Sequence, residues 1–158
     1  TPIDDISEDH WEKLIGSNLK GPMFLIKGLK QKLKESNGSI INITDTNLSK
    51  GVANYSIYSA AKAGLEAITK GLARELAPEI KVNAIAPGPY PSQMLGAALN
   101  HDYTAAAAAN PRKRVGTPED IAGLAIFLSS RAGAYTVGET ITSDGGIVKT
   151  AGHNLSIE

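Results

Sequence analysis

Between Tyr55 and Ala77 the sequence YSIYSAAKAGLEAITKGLARELA sets Leu65, Ile68, Leu72 and Leu76 on one helical stripe, with Lys70, Arg74 and Glu75 away from it. Immediately afterwards the pattern becomes that of a strand, EIKVNAI over 79–85, closed by Pro87-Gly88-Pro89, because proline cannot continue a central ladder. A long one-sided helix joined this closely to a short apolar strand buries its stripe by lying back on a sheet. The same succession recurs on either side of this pair. Ser7, with Glu8 and Asp9 in the first turn, is a predicted N-cap for a helix carrying Trp11, Leu14, Ile15, Leu19, Phe24, Leu25, Leu29 and Leu33. Gly21-Pro22 is predicted to interrupt or kink that helix, leaving one long or two abutting pieces, and Asn37-Gly38 to end it. Residues 39–44, SIINIT, then read as a short buried strand.

After the Pro-Gly-Pro turn, residues 91–116 are rich in alanine and small polar groups, predicting short helices that serve as a lid or a mere connection. Thr117 as N-cap and Pro118 at the first helical position introduce a third helix over 121–129, and a third strand follows over 137–142, ended by Asp144-Gly145-Gly146. The order helix, strand, helix, strand, helix, strand predicts an α/β fold with parallel strands and right-handed crossovers. Three strands make a small sheet, and the strand around Ile40–Ile43 is expected to be left as an apolar edge.

Composition narrows the function. At 42% hydrophobic and 20% charged, 158 residues describe about one globular domain. Sixteen basic residues balance sixteen acidic ones, so no electrostatic footprint for nucleic acid or an anionic membrane is expected. Without cysteine there is no thiol nucleophile and no thiolate metal site, and His10, His101 and His153 lack ligand spacing, so no metal is expected. The longest uncharged stretch, 82–100, contains three prolines and predicts no membrane span.

Tyr58 and Lys62 stand four apart on the central helix, which places phenol and ammonium on one face. An ammonium near a phenol favours the phenolate and so suits acid–base work; alone, the pair is a weak signal and reads first as a surface tyrosine beside a solvated lysine.

The surroundings of that pair resemble the short-chain dehydrogenase/reductase family over nearly the whole chain. WEKLIGSNLKG, SIINI, YSIYSAAKAGLEAITKGLARELAPEIKVNAIAPGP, RVGTPEDIAGLAIFLSS and the Asp-Gly-Gly turn are similar to successive motifs of its second half. The resemblance implies a Rossmann-type doubly wound parallel sheet, of which this chain, 1–158, carries the C-terminal catalytic half. It implies hydride transfer between NAD(P)(H) and a carbonyl or alcohol, with Tyr58 giving or taking the proton. Lys62 would hold the cofactor ribose and keep the phenol acidic, and Asn18 would position a water. Pro87 and Gly88 would shape the nicotinamide loop, with Ser92 a further cofactor contact and Pro89 and Tyr90 beside the substrate. Asn83 reads as structural. Without the resemblance, Asn18 reads as a residue satisfying a helix kink and Ser92 as a helix cap.

Two departures qualify the match. Thirteen residues before Tyr58, where the family carries a serine, this chain has Asp45; an ionised carboxylate only accepts hydrogen bonds, and it pushes the phenol pKa up. Asp45 would still face the substrate. The stretch INITD with YSIYSAAKAGLEAITKGLARELAPE is similar to the pteridine reductase branch, which implies a pterin-type substrate and NADP, with NAD as the alternative. APGPYPSQM is similar instead to members acting on 3-oxoacyl chains. Thr44 or Thr46 would be the other sources of a hydroxyl, although strand alternation turns both away from residue 45. The second departure is that no Gly-rich dinucleotide turn occurs here, so the half of the fold that cradles the pyrophosphate, roughly 90 residues, is expected to be absent. The alternative reading is therefore a non-catalytic fragment or subunit-pairing module. The family also implies a homo-dimer or homo-tetramer, and the absence of disulfides favours a cytoplasmic setting.

Overall fold

The computed structural model describes residues 1–150, and His153 lies outside them. Helix α1 (Glu8–Ile15) starts as expected at Ser7, whose hydroxyl accepts the His10 N–H while the Ser7 N–H donates to the His10 ring. It does not break at Gly21-Pro22. A π-helical turn, Gly16–Lys20, carries the chain into α2 (Gly21–Glu35), where Pro22 sits in the first turn and needs no N–H partner. Asn37 in the left-handed region ends the helix, and the Gly38 N–H closes back on the Leu33 carbonyl.

Strands β1 (Ser39–Ile43), β2 (Lys81–Pro87) and β3 (Thr140–Ser143) form one parallel sheet in the order β1-β2-β3. Helix α3 (Ser56–Glu75) connects the first two, and α4 (Gln93–Leu99), α5 (Thr104–Ala108) and α6 (Pro118–Ser129) lie between the second and third. The α/β reading from sequence is thus observed as a parallel three-stranded sheet with flanking helices. Strand β1 forms one edge, with an open groove beside it lined by Pro22, Leu25 and Leu29 of α2 and by Ile40 and Ile41.

Burial in β2 is continuous from Val82 to Ala86, the pattern of a strand covered on both faces rather than one. Ile40 and Val82 pack with Ile26 of α2, with Leu72 and Ala73 of α3 and with Leu76 just past its end. Alternation sends the odd-numbered residues to the other face, where α6 packs with Leu128 fully buried.

The strand boundaries differ from the sequence reading, most at β2 and β3. Strand β2 begins at Lys81, not Glu79, and runs through Pro87, because a strand's last residue can lack an N–H while its carbonyl still bonds, here with the Thr46 hydroxyl. Strand β3 begins at Thr140, not Val137, because Gly138 takes a positive φ and Asn83 bridges this approach, accepting from Glu139 N–H and donating to the Thr136 carbonyl. Asn83 is structural, as expected, and its side chain is what ties β2 to the segment entering β3. None of the described helices is long and apolar enough to cross a membrane.

Candidate active site

Because the strands are parallel, their carboxyl ends lie along one edge, and α3, returning across the sheet, begins at that same edge. Asp45 follows β1, Pro87 and Gly88 close β2, and Tyr58 and Lys62 occupy the first two turns of α3. Topology thus gathers residues spread over more than forty positions.

Asp45 and Tyr58 are in direct contact. The Tyr58 hydroxyl donates to Asp45 Oδ2 at 2.9 Å, while Asp45 Oδ1 accepts the Asn47 N–H at 2.7 Å and so caps the short 3-10 turn Thr46–Ser49. Lys62 Nζ lies 5.7 Å from the Tyr58 ring centre and donates to the Ile43 carbonyl at 2.8 Å. Thr44 and Thr46 are both turned to β2, their hydroxyls donating to the carbonyls of Ile85 and Pro87, so neither takes the place of a serine at 45.

The expected acidic phenol is not what the geometry produces. Tyr58 is shifted well above the ordinary tyrosine value, first by burial and then by the charge and hydrogen bond of Asp45. Lys62 is itself shifted down by burial, a shift that Asp45 opposes. The pH dependence follows. A phenol that holds its proton more tightly when folded contributes stability that is complete below the unfolded value near 10.0 and is lost as pH rises through the higher folded value. Lys62, lowered on folding, acts oppositely and makes stability rise between its folded value and 10.5. Ultraviolet titration of the full-length protein is expected to find one tyrosine ionising later than free tyrosine. Asp45→Asn should bring that ionisation down, though not fully to 10.0, since burial remains. An unchanged titration in the variant would remove Asp45 as a cause.

Asn18 stands in the π-helical turn, its amide donating to the Leu14 carbonyl and the Ser17 hydroxyl. This is the local helix role that the residue alone suggested. The turn packs on α3, with Leu19 against Gly64, whose missing Cβ leaves it room. Ser92 caps α4 through the Leu95 N–H, again its local role.

Gly88 permits a close crossing of β2 and β3. Its N–H donates to the Ser143 carbonyl, and a Cβ there would lie 2.6 Å from Asp144 Cβ and 2.7 Å from its Cα. Gly88→Ala should therefore cost about 1–3 kcal/mol, read as a lower urea midpoint of the full-length protein; a loss below about 0.5 kcal/mol would mean that the crossing is not tight.

Pro89 and Tyr90 turn toward β3. The Pro89 carbonyl accepts the Gly116 N–H, and the Tyr90 hydroxyl shares a hydrogen bond with Ser143 at 2.6 Å. Pro89 lines a polar cavity with Arg112, Arg114 and Asp144, in which both guanidinium NH groups of Arg114 donate to Asp120 and hold that carboxyl well below its ordinary range. A different cavity, of about 250 Å³, opens beside Tyr58 and is lined by Leu14, Tyr55, Ile57 and Met94. Tyr55 and Met94 were missed from sequence. Tyr55 stands three residues before Tyr58, a spacing that could have flagged it.

A family model described as enoyl-(acyl carrier protein) reductase matches residues 1–148. The chain belongs to the short-chain dehydrogenase/reductase family. It is 38% identical over 145 residues to 3-oxoacyl-(acyl-carrier-protein) reductase of Chlamydia pneumoniae, covering 90% of this chain and 58% of that protein. With galactitol 2-dehydrogenase of Agrobacterium fabrum it shares 34% over 159 residues, covering 92% and 62%. Among solved structures, a glucose/ribitol-type short-chain dehydrogenase/reductase from Brucella melitensis superposes with TM-score 0.89 at 33% identity, covering 95% of this chain and 61% of that one. A gluconate 5-dehydrogenase from Burkholderia cenocepacia, solved with NADP and tartrate, gives 0.86 at 28% identity, covering 96% and 61%. The chain thus spans about three fifths of the length of these relatives.

Proposed function

We propose that this chain forms the catalytic half of a single Rossmann-type domain in an NAD(P)(H)-dependent oxidoreductase that interconverts a carbonyl, or pterin-type, compound and its reduced form. The observation that carries the reading is the Tyr58 hydroxyl, half-buried against Asp45, with Lys62 one turn further on and both at the carboxyl edge of the sheet. The named activities of the relatives, ketoacyl reduction and polyol oxidation, support the same reaction class.

The residues present suit a nicotinamide cofactor. Lys62 uses an N–H on the Ile43 carbonyl, and its ammonium keeps further donors for a pair of ribose hydroxyls. The bound cofactor would supply or accept the hydride. Tyr58 holds the proton at its hydroxyl until an acceptor oxygen takes it, and its high pKa keeps it an acid rather than a base near neutral pH. Asn18 is assigned to hold a water behind Lys62. Pro87, Gly88 and Ser92 are assigned to the nicotinamide side, with Pro89, Tyr90 and Asp45 on the substrate side. NADP is the favoured form and NAD the alternative, the former being the cofactor in the Burkholderia structure.

A homo-dimer or homo-tetramer is supported by apolar side chains left open on α1 and α2, Trp11 at 48% and Phe24 at 59% exposure. A cytoplasmic location rests on the lack of cysteine. The test is NADPH titration of the full-length protein: saturable binding with quenching of Trp11 is expected, while no binding of either nicotinamide would leave the subunit-pairing alternative in its place.

A further inference from the structure

We infer that the cavity at the carboxyl end of β3 binds the carboxylate or phosphate group of a small molecule, with Arg112 as the cation that receives it. The binding stands on the cavity alone; that the charged group belongs to the substrate rests on the reductase reading above.

Three stretches wall the cavity at this edge: Pro89 after β2, the approach to α6 with Arg112, and the end of β3 with Ser143 and Asp144. Arg112, Arg114, Asp120 and Asp144 bring charges of both signs to the wall, and hydrogen bonding decides which of them is open to a ligand. Each carboxylate oxygen already receives an N–H. Asp120 Oδ1 takes one from Arg114, and Oδ2 takes one from Arg114 and one from the Thr117 backbone. Asp144 Oδ1 and Oδ2 take the N–H groups of Gly146 and Val148 at 2.8 and 2.9 Å. Arg114 is used up by the same pairing, with a further bond to the Val115 carbonyl.

Arg112 differs from these. Among the described residues its guanidinium has no carboxylate or carbonyl partner, so its donors remain for an incoming group. They form a planar fork that matches the oxygens of a carboxylate or phosphate in pairs. A second donor belongs to the same wall. Ser143 Oγ and the Tyr90 hydroxyl lie 2.6 Å apart, one hydrogen fills that contact, and the hydrogen of the other hydroxyl is left over. The unspent hydrogen-bonding capacity is therefore that of donors, which favours an anion over a cation or an apolar group of the same size. At about 190 Å³ the cavity is several times the roughly 30 Å³ share of one water, room for such a group and a short carbon chain.

The place of the cavity sets the length of a substrate that reaches it. Neighbouring strands lie about 4.8 Å apart, so the end of β3 stands roughly 10 Å along the carboxyl edge from the end of β1, where Asp45 and Tyr58 meet. The crossing at Gly88 lies between them. A carbonyl compound with a chain of about five to seven atoms between its carbonyl and an anionic group spans that edge, its reacting carbon at Tyr58 and its charge at Arg112.

The test is calorimetry on the full-length protein at fixed ionic strength, with inorganic phosphate and succinate as probes, and saturable binding of one or both is expected. Arg112→Gln should weaken it about tenfold or more, and Arg112→Lys, which keeps the charge and loses the fork, should fall between. Because Arg112 holds no other described side chain, neither variant should move the urea midpoint. Binding of neither probe by the parent protein, or binding unchanged in Arg112→Gln, overturns the inference. Turnover identifies the source of the anion. For a substrate group, 6-oxoheptanoate should show a KM about tenfold below that of its methyl ester, phosphate should compete with the acid only, and Arg112→Gln should remove the preference. Acid and ester handled alike, beside phosphate binding that Arg112→Gln weakens, leave a free anion as the ligand and overturn the substrate assignment. Ketone turnover with anion binding indifferent to Arg112 keeps the reductase reading and loses this one; anion binding through Arg112 without any nicotinamide binding does the reverse.

Discussion

Tyr58→Phe is expected to lower turnover of the full-length protein by about 10²- to 10⁴-fold, the range associated with removing a positioned general acid. The ring is retained, so its edge-to-face contact with Tyr55 and its place against Lys62 survive, and only the hydroxyl between Asp45 and the substrate is lost. Asp45 then loses one donor but keeps the Asn47 N–H, so its cap on the following turn persists. NADPH affinity and the thermal midpoint should therefore change little while the rate collapses. Steady-state kinetics with a 3-oxoacyl ester and with a pterin would read the effect. A variant working within threefold of the parent on its best substrate would remove Tyr58 from the chemistry.

The largest stability effect is expected from Ile85→Ala. Ile85 is fully buried in the central strand, paired with Ile43 on one side and Ile141 on the other, on a sheet covered by helices on both faces. Truncation leaves a cavity on that covered face of the sheet, between the neighbouring side chains of Ile43 and Ile141, and a loss of about 2–5 kcal/mol follows. Its carbonyl receives both the Thr44 N–H and the Thr44 hydroxyl, which fixes the residue just before Asp45. Urea unfolding of the full-length protein should show a lower midpoint with an unchanged slope. A loss under about 1 kcal/mol would mean that the site collapses around the missing atoms and that the core is less constrained than its burial indicates.

Most of the architecture was readable from the chain. The change from a helical to a strand period, repeated three times, determined the element order, and a parallel sheet followed because each strand is separated from the next by a helix. Ser7, Asn37, Thr117 and Pro118 announced helix ends through local hydrogen bonding and backbone restriction, which depend on near neighbours only. Strand ends were less legible. Where β2 stops depends on the partner that receives the Pro87 carbonyl, and where β3 starts depends on Asn83, more than fifty residues away.

The candidate site divides in the same way. Four-residue spacing placed Tyr58 and Lys62 on one face of α3, and the family motifs singled out Asp45, Asn18, Pro87, Gly88 and Ser92. Sequence set Lys62 and Asp45 pulling the Tyr58 pKa in opposite directions; that the upward pull prevails came only from the tertiary structure, because it depends on burial and on a 2.9 Å contact between residues thirteen apart, neither of which spacing conveys. Sequence determined which groups are present and which turns they share. Tertiary packing decided which of them touch, since Asp45 reaches Tyr58 only because β1 ends where α3 begins, and Tyr90 goes to Ser143 because β2 and β3 close on each other at Gly88.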